Sequence, residues 1–415
     1  MLVLALKSLW SRRLTAGLTL LAIAISVCLL LGVATVKNQA KESFARTISG
    51  TDLIVGARSG SLNLLLYSIF HLGDATNNIG WESYSALKKK PGVAWTIPLA
   101  LGDSHHGYRV VGTSAALFEH YQYGDHHPLA FTQGHPFQRP FDAVLGAEVA
   151  QKLGYQLHAP VVIAHGSGKR SFTKHDNLPF QVSGILAATG TPIDRSVLIP
   201  LAGIEAIHLG WDTGRQDKQV TATEALTRDL TPKSITAALV GLKSKILTFA
   251  LQREINTYPD EPLQAILPGV ALRELWSLMS MAEQALSLVS GFVVLAGLVG
   301  MLTTLLAGLN ERRRELAILR SLGAGPRQLF LLLALEALLL VTLGIVAGLT
   351  LLYMSLLLVA PWLQSQYGLT LQLHGLGAEE FILLASVWIA GLLLGLLPAW
   401  RAFRYSLHDG MTPRS

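Results

Sequence analysis

Apolar positions along this chain gather into four long runs, separated by stretches of mixed polar and apolar residues. The first, Leu14 to Val36, and the second, Gln284 to Asn310, contain no charge. The third runs from about Gln328 to Ala360 with one acid, Glu336, and the fourth from about Phe381 to Trp400 with none. A helix of about 20 residues crosses the hydrocarbon core of a bilayer, so each run predicts a membrane span. A secretory h-region is about 7–15 residues long. The first run is longer and no clear A-x-A site follows it, so an uncleaved helix is expected despite Lys7, Arg12 and Arg13 ahead of it. The expected plan is therefore an N-terminal elbow (1–13), a first span (14–36), a large domain (37–280) and a second span (284–310). A connecting segment (311–327), a third span (328–360), a loop (361–380), a fourth span (381–400) and a tail (401–415) complete it.

Inside 37–280 the pattern changes to short runs bounded by turn residues. Asp52–Ala57, Ala94–Leu101, Arg109–Gly112, Pro160–His165, Phe180–Leu186 and Ser196–Pro200 read as strands. Tyr84–Lys90, Glu148–Leu153 and Thr231–Gln252 fit helical spacing. The mixture predicts an α+β domain. Leu62, Leu64, Leu65, Leu66, Ile69 and Phe70 form a dense apolar patch, read first as core and alternatively as a membrane-contact or substrate surface.

Composition agrees with a membrane protein. Charged residues make up 14% of the chain and hydrophobic ones 51%, with a mean hydropathy of +0.42, where soluble domains carry about 25% charged residues. The formal net charge of +6 is concentrated in the segments flanking the spans. Lys7, Arg12 and Arg13 precede the first span, Arg312, Arg313, Arg314, Arg320 and Arg327 lie between the second and third, and Arg401, Arg404 and Arg414 follow the fourth. The loop 361–380 has neither Lys nor Arg. Basic residues stay cytoplasmic, so both termini are expected in the cytoplasm and the large domain outside. That domain is nearly neutral, with 22 Lys and Arg against 20 Asp and Glu, which removes the main support for a nucleic-acid partner. One cysteine, Cys28, excludes an internal disulfide framework.

The connecting segment reads Glu311-Arg-Arg-Arg-Glu-Leu-Ala-Ile-Leu-Arg-Ser-Leu-Gly-Ala324. Leu316, Leu319 and Leu322 share a helical stripe, with Arg312, Arg313, Arg314, Glu315 and Arg320 on the polar side. Gly323 and Gly325-Pro326 end the helix. Such a piece either lies on anionic headgroups or docks into a cytoplasmic partner. Within the spans, Gly344 and Gly348 form one GxxxG and Gly391 and Gly395 another, a spacing that lets helices approach closely, although glycine is common in membrane helices anyway. Glu336 lies ~14 Å along a helix from Arg327. A carboxylate at that depth costs about 2.5–3.5 kcal/mol on insertion scales, so structural pairing with another helix is expected ahead of proton relay.

The connecting string resembles the signature of FtsX/MacB-type ABC transporter permeases, E-R-x-x-E-[IL]-x-[IL]-L-R-x-[LI]-G-A after the second membrane helix. Gly395-Leu-Leu-Pro-Ala-Trp-Arg-Ala402 resembles the family's closing element, and Leu9-Trp-Ser-Arg-Arg13 its start. Leu145–Gly154 followed by Phe180–Leu186 is similar to its periplasmic helix-then-strands repeat, and the layout of one helix, outer domain and three helices fits as well. Ala317 stands where glycine is frequent. The resemblance implies a type VII permease of the bacterial inner membrane that acts as a dimer, with a second copy or a paralogue. It also implies a pair of separate cytoplasmic ATPase subunits holding ATP and Mg²⁺, and a periplasmic partner remains open. In the family, helices 2 and 3 transmit ATP-driven closure to the periplasmic domain rather than forming a channel. Carried over, Glu311, Arg312, Arg313, Arg314, Glu315, Leu316, Leu319, Arg320 and Gly323 would form the ATPase contact. Glu336 matches a place early in helix 3 where the family tends to carry an acid.

The chain shows no nucleotide motif of its own. Gly166-Ser-Gly-Lys169 lacks the earlier glycine of a P-loop and the Ser or Thr after the lysine, because Ile163 and Arg170 stand there; a turn between strands is expected. No G-x-S-x-G elbow occurs, so no enzyme is expected. Eleven of 13 histidines fall between His71 and His208. Two dyads, His105-His106 after Asp103 and His126-His127 after Asp125, offer ligands for a borderline ion such as Zn²⁺. Solvated loop histidines are the plainer reading. Metal ligation by the dyads underlies the alternative function, a metal-linked receptor or transport component.

Overall fold

The computed structural model describes residues 2–47, 49–166, 175–209, 221–311, 318, 321–367 and 375–408. The chain divides into two compact units, Met1–Ala40 with Met279–Gln366 and Leu371–Ser415, and Lys41–Leu278 with Tyr367–Thr370.

The first unit contains the greater part of each long apolar helix. A short helix, Leu2–Ser11, is followed by Arg13–Thr47. The second long helix is Pro268–Glu311, the third Pro326–Tyr367 and the fourth Ala378–His408. Each extends past its apolar run, because the run marks only the apolar portion while the polar residues beyond it still favour helix. Each is long and apolar enough to cross a membrane. Ile23, Val27, Leu31, Leu298, Met301, Leu340, Val341 and Leu352 form the common core of this unit.

The second unit is built on one large mixed sheet. In chain order its strands are β1 (Leu53–Ala57), β2 (Val93–His105), β3 (Tyr108–Thr113), β4 (Phe131–Gly134), β5 (Asp142–Leu145) and β6 (Pro160–Val161). They continue with β7 (Ala164–His165), β8 (Phe180–Leu186), β9 (Ser196–Pro200), β10 (Ala237–Leu242) and β11 (Leu263–Ile266). The order across the sheet is β11-β1-β10-β2-β3-β9-β5-β8-β4, with β7 against β2 and β6 against β8. The β9–β3 and β8–β5 pairs are parallel and the rest antiparallel. Strand β2 is long enough to pair with β10 through its first half and with β3 through its second.

Local sequence explains much of this. Strand β1 is buried along its whole length, the continuous apolar run of a central strand. His106 and Gly107 both have positive φ, 49° and 85°, the two central residues of a tight hairpin between β2 and β3. Gly154, at φ 69° and ψ 29°, ends the helix Ala147–Leu153 in the left-handed conformation. The apolar patch after the first long helix is the helix Ser61–Ile69, whose Leu64, Leu65 and Ile69 lie in the domain core along with Phe70.

One expectation fails. Thr231–Gln252 is not a helix: Ser234–Ile235 and β10 are strands, and the helix begins only at Thr248. The Ala- and Leu-rich run of β10 is paired on one side by β1 and on the other by β2, and Ala237–Gly241 are buried. Pairing on both edges overrides local helix propensity.

Candidate functional site

In the first unit the glycines take up the places where helices touch. A Cβ added at Gly344 would meet Ile23 Cγ2 at 2.6 Å, and one at Gly348 would meet Val27 Cβ at 2.8 Å and Ala24 O at 2.9 Å. The GxxxG of the third helix therefore packs on the first. In the fourth helix, an added Cβ would meet Val341 Cγ2 at 2.6 Å from Gly391 and Ala337 Cβ at 2.3 Å from Gly395, so its GxxxG packs on the third. Small residues admit this approach, and polar contacts tie the third and fourth helices, and further pairs of the four, together. Thr19 Oγ1 lies 3.3 Å from Thr304 Oγ1, and Trp388 Nε1 donates to Thr342 Oγ1 at 3.2 Å. Near the other ends of the spans, Thr35 Oγ1 donates to Glu380 Oε1 at 2.9 Å and Lys37 pairs with Glu283 at 2.5 Å.

Glu336 is 3% exposed. Its carboxylate lines a cavity of about 40 Å³ together with Arg12, Thr15, Thr304, Gly308, Gly395 and Pro398, so all four long helices and the residue preceding the first contribute. The Arg12 guanidinium donates to Gly308 O at 3.0 Å. The lining is mixed, with Leu305, Leu333 and Leu340 beside these groups, and it gives the carboxylate protein surroundings at a depth where lipid would not tolerate it.

Of the expected ATPase contact, Glu311 is the last residue of the second long helix. Arg312, Arg313, Arg314, Glu315, Leu316, Leu319 and Arg320 lie outside the described residues. Beyond them, Leu322 N donates to Ile318 O at 3.1 Å and Gly323 has φ +96°. Gly325 N then donates to Gln328 Oε1 at 3.1 Å ahead of Pro326, the first residue of the third helix. This is a helical turn stopped by a glycine that can adopt positive φ. Leu322 is 79% exposed, leaving an apolar side chain uncovered beside this stop. Gly166, at φ +92°, is the one residue of Gly166–Lys169 among those described.

Among the described residues, neither histidine dyad falls within a cluster of three or more ligating side chains. His105 is buried, and both its ring nitrogens are used: Nδ1 donates to Val162 O at 2.7 Å and Nε2 accepts from Tyr155 OH at 2.9 Å. Burial lowers its pKa. His106 forms the β2–β3 hairpin turn. His126, at φ 63°, forms another turn, with Nδ1 2.9 Å from Gln122 Oε1, and His127 packs beside the Tyr123 ring. None of the four belongs to the group of ligating side chains that does converge among the described residues, and the receptor reading built on the dyads has no support. That group is Asp103, His165, His175 and His208. Spacing along the chain gave no sign of it, because its members come from four separate segments. The usable signal was the excess of histidine itself.

Comparison with known proteins agrees with this architecture. The model of the MacB-like periplasmic core domain matches residues 16–258, and that of the FtsX-like permease C-terminal region matches residues 287–407. The macrolide export ATP-binding/permease protein MacB of Rhodospirillum rubrum is 29% identical over 276 residues, 63% of this chain. The chain spans 36% of the length of that relative. The periplasmic region of MacB from Actinobacillus actinomycetemcomitans covers 55% of this chain and 94% of its own, at 10% identity and a TM-score of 0.33. The extracellular domain of the noncanonic ABC-type transporter YknZ from Gram-positive bacteria covers 52% and 99%, at 14% identity and a TM-score of 0.31. One family model takes in the first long helix and most of the sheet domain, the other the remaining long helices, and the chain belongs to the FtsX/MacB-like family of ABC transporter permeases.

Proposed function

We propose that the chain is the permease subunit of a MacB/FtsX-type ABC transporter in the bacterial inner membrane, and that it works by transmitting motion. A separate cytoplasmic ATPase docks on Glu311–Ala324, with Arg314, Glu315 and Arg320 as polar anchors. ATP-driven closure then passes along the second and third helices to the outer domain. The observation that carries this reading is the place of that string: it lies between the second and third membrane helices, within the part of the chain matched by the FtsX-like model. The three basic segments support cytoplasmic termini. A dimer of permeases, with a second copy or a paralogue, supplies one docking segment to each ATPase. The carboxylate and guanidinium around the Glu336 cavity and the glycine contacts hold the four helices as one body, which a mechanical stroke requires.

Co-purification of the full chain with an ABC ATPase subunit from its own cells is the test. Stable pairing is expected for the native chain, and its loss in the Arg314→Glu, Arg320→Glu variant. Retention of the ATPase by that variant overturns the docking assignment, and full activity with no nucleotide-hydrolysing companion overturns the whole reading.

A further inference from the structure

Outside the membrane helices, one carboxylate is ringed by three imidazoles. Asp103 lies on β2 and His165 directly opposite on β7, as the register His165↔Asp103 requires. His175 is held beside the same segment by its backbone N–H, which donates to Ile163 O at 2.9 Å. His208 is the last residue of the helix Leu201–His208. His165 Nδ1 lies 3.1 Å from Asp103 Oδ1, and His208 Nε2 lies 3.4 Å from His165 Nδ1 and 3.8 Å from Asp103 Oδ2. One ligating atom from each of the four residues falls within 4.8 Å of every other. The rings of His165 and of His175 stand edge-on to that of His208, with centroids 5.4 and 5.6 Å away.

We propose that Asp103, His165, His175 and His208 form a binding site for one borderline divalent transition-metal ion of the Zn²⁺ class. Four donors at about 2.0–2.1 Å from a tetrahedral ion stand about 3.3 Å from one another, and the distances here bracket that value. Three imidazole nitrogens and one carboxylate oxygen are a donor set that suits Zn²⁺ over Mg²⁺ or Ca²⁺, which take oxygen. His208 is already oriented for the task. Its Nδ1 donates to Ile204 O at 2.8 Å, which fixes the tautomer and leaves Nε2, the atom facing the cluster, with its lone pair. Asp103 and His175 are 3% and 0% exposed, whereas His165 is exposed and His208 partly so, giving an ion a way in. On binding, the ion takes the place of the proton that His165 Nδ1 shares with Asp103: a neutral ring then carries its proton on Nε2, and a protonated ring keeps the Nε2 proton and releases the other to solvent. The ion ties β2 and β7, already paired in the sheet, to the helix Leu201–His208. This site shares Asp103 with the first dyad motif but uses none of the four dyad histidines, and it does not involve the docking segment.

The test uses the full-length chain in detergent, freed of its affinity tag and stripped with a chelator. Titration with ZnCl₂ against a chromogenic chelator is expected to show one tight equivalent per chain, and Co²⁺ in its place the strong visible absorption of a four-coordinate ion. Asp103→Asn and His208→Ala are each expected to weaken binding at least about tenfold, as disturbing a metal site does, while His126→Ala with His127→Ala leaves it unchanged. His165 and His208 are accessible enough to replace without loss of fold, checked by unaltered thermal unfolding of the metal-free variants. Failure of the folded native chain to take up Zn²⁺ overturns the proposal. So does full retention of the equivalent by the His165→Ala, His208→Ala variant. Neither result depends on ATPase pairing.

Discussion

Gly395 and Ala337 are packed so closely that a methyl group at Gly395 would lie 2.3 Å from Ala337 Cβ. That atom is fixed to the backbone of the third helix and has no rotamer to escape into. Gly395→Ala is therefore expected to push the third and fourth helices apart, costing about 1–3 kcal/mol as overpacking does, despite the better helix propensity of alanine. Gly300, with nothing within 4 Å of its added Cβ, is the control. Thermal unfolding in detergent should show a lowered midpoint for Gly395→Ala and none for Gly300→Ala. Equal midpoints would remove the packing role from the fourth helix's GxxxG.

Arg12 and Glu336 line one cavity of about 40 Å³, so their charges are expected to act as a unit. Arg12→Gln and Glu336→Gln should each lower the unfolding midpoint. The double variant should lose less than the two losses added, with a coupling of about 0.5–3 kcal/mol. Strict additivity would mean that each residue is satisfied by separate neighbours.

In the sheet domain, Gly241 faces Trp95 across the β10–β2 pair, and a Cβ there would sit 2.1 Å from the indole. The ring covers the glycine and stacks on His120, with centroids 5.3 Å apart. Gly241→Ala should displace Trp95 and cost about 1–3 kcal/mol, visible as a red shift or a change in intensity of tryptophan emission along with a lower midpoint. An unchanged spectrum would show that the sheet absorbs the methyl elsewhere.

Burial, reinforced by the Arg109 guanidinium, lowers the pKa of His71 to about 4. Its Nδ1 lies 3.0 Å from Ser196 Oγ. The folded chain thus keeps a neutral imidazole while the unfolded chain takes up a proton at the ordinary value of about 6.5. The contribution of this group to stability is complete above about pH 6.5 and is lost as the pH falls from there towards 4. His71→Asn, which tolerates the φ of 54° at this position, should flatten the dependence of the unfolding midpoint on pH across that window. Identical slopes for both proteins would place the titration elsewhere.

The membrane helices and the α+β character of the outer domain were legible because both are written in periodicity. An uncharged run of 23 residues from Leu14 to Val36 has few solutions other than a membrane helix, and β1 or β8 declares itself by apolar residues between turns. The same local logic misread Thr231–Gln252. The run Ala237–Leu242 is equally good as helix or strand until two neighbouring strands claim its backbone.

The histidines show the limit most clearly. Adjacency in sequence singled out His105-His106 and His126-His127, yet His106 and His126 serve turns and His105 is fully engaged by Val162 and Tyr155. The convergence of Asp103, His165, His175 and His208 depends on a strand register and the end of a helix, brought together across up to about a hundred residues of chain. By itself the sequence determined what depends on near neighbours: the long apolar helices, the string Glu311–Ala324 that points to the family, and the glycine spacing. Tertiary structure alone decided which face each GxxxG meets, which helices surround Glu336 and which imidazoles share a carboxylate. Those are contacts between segments whose separation along the chain carries no period to read.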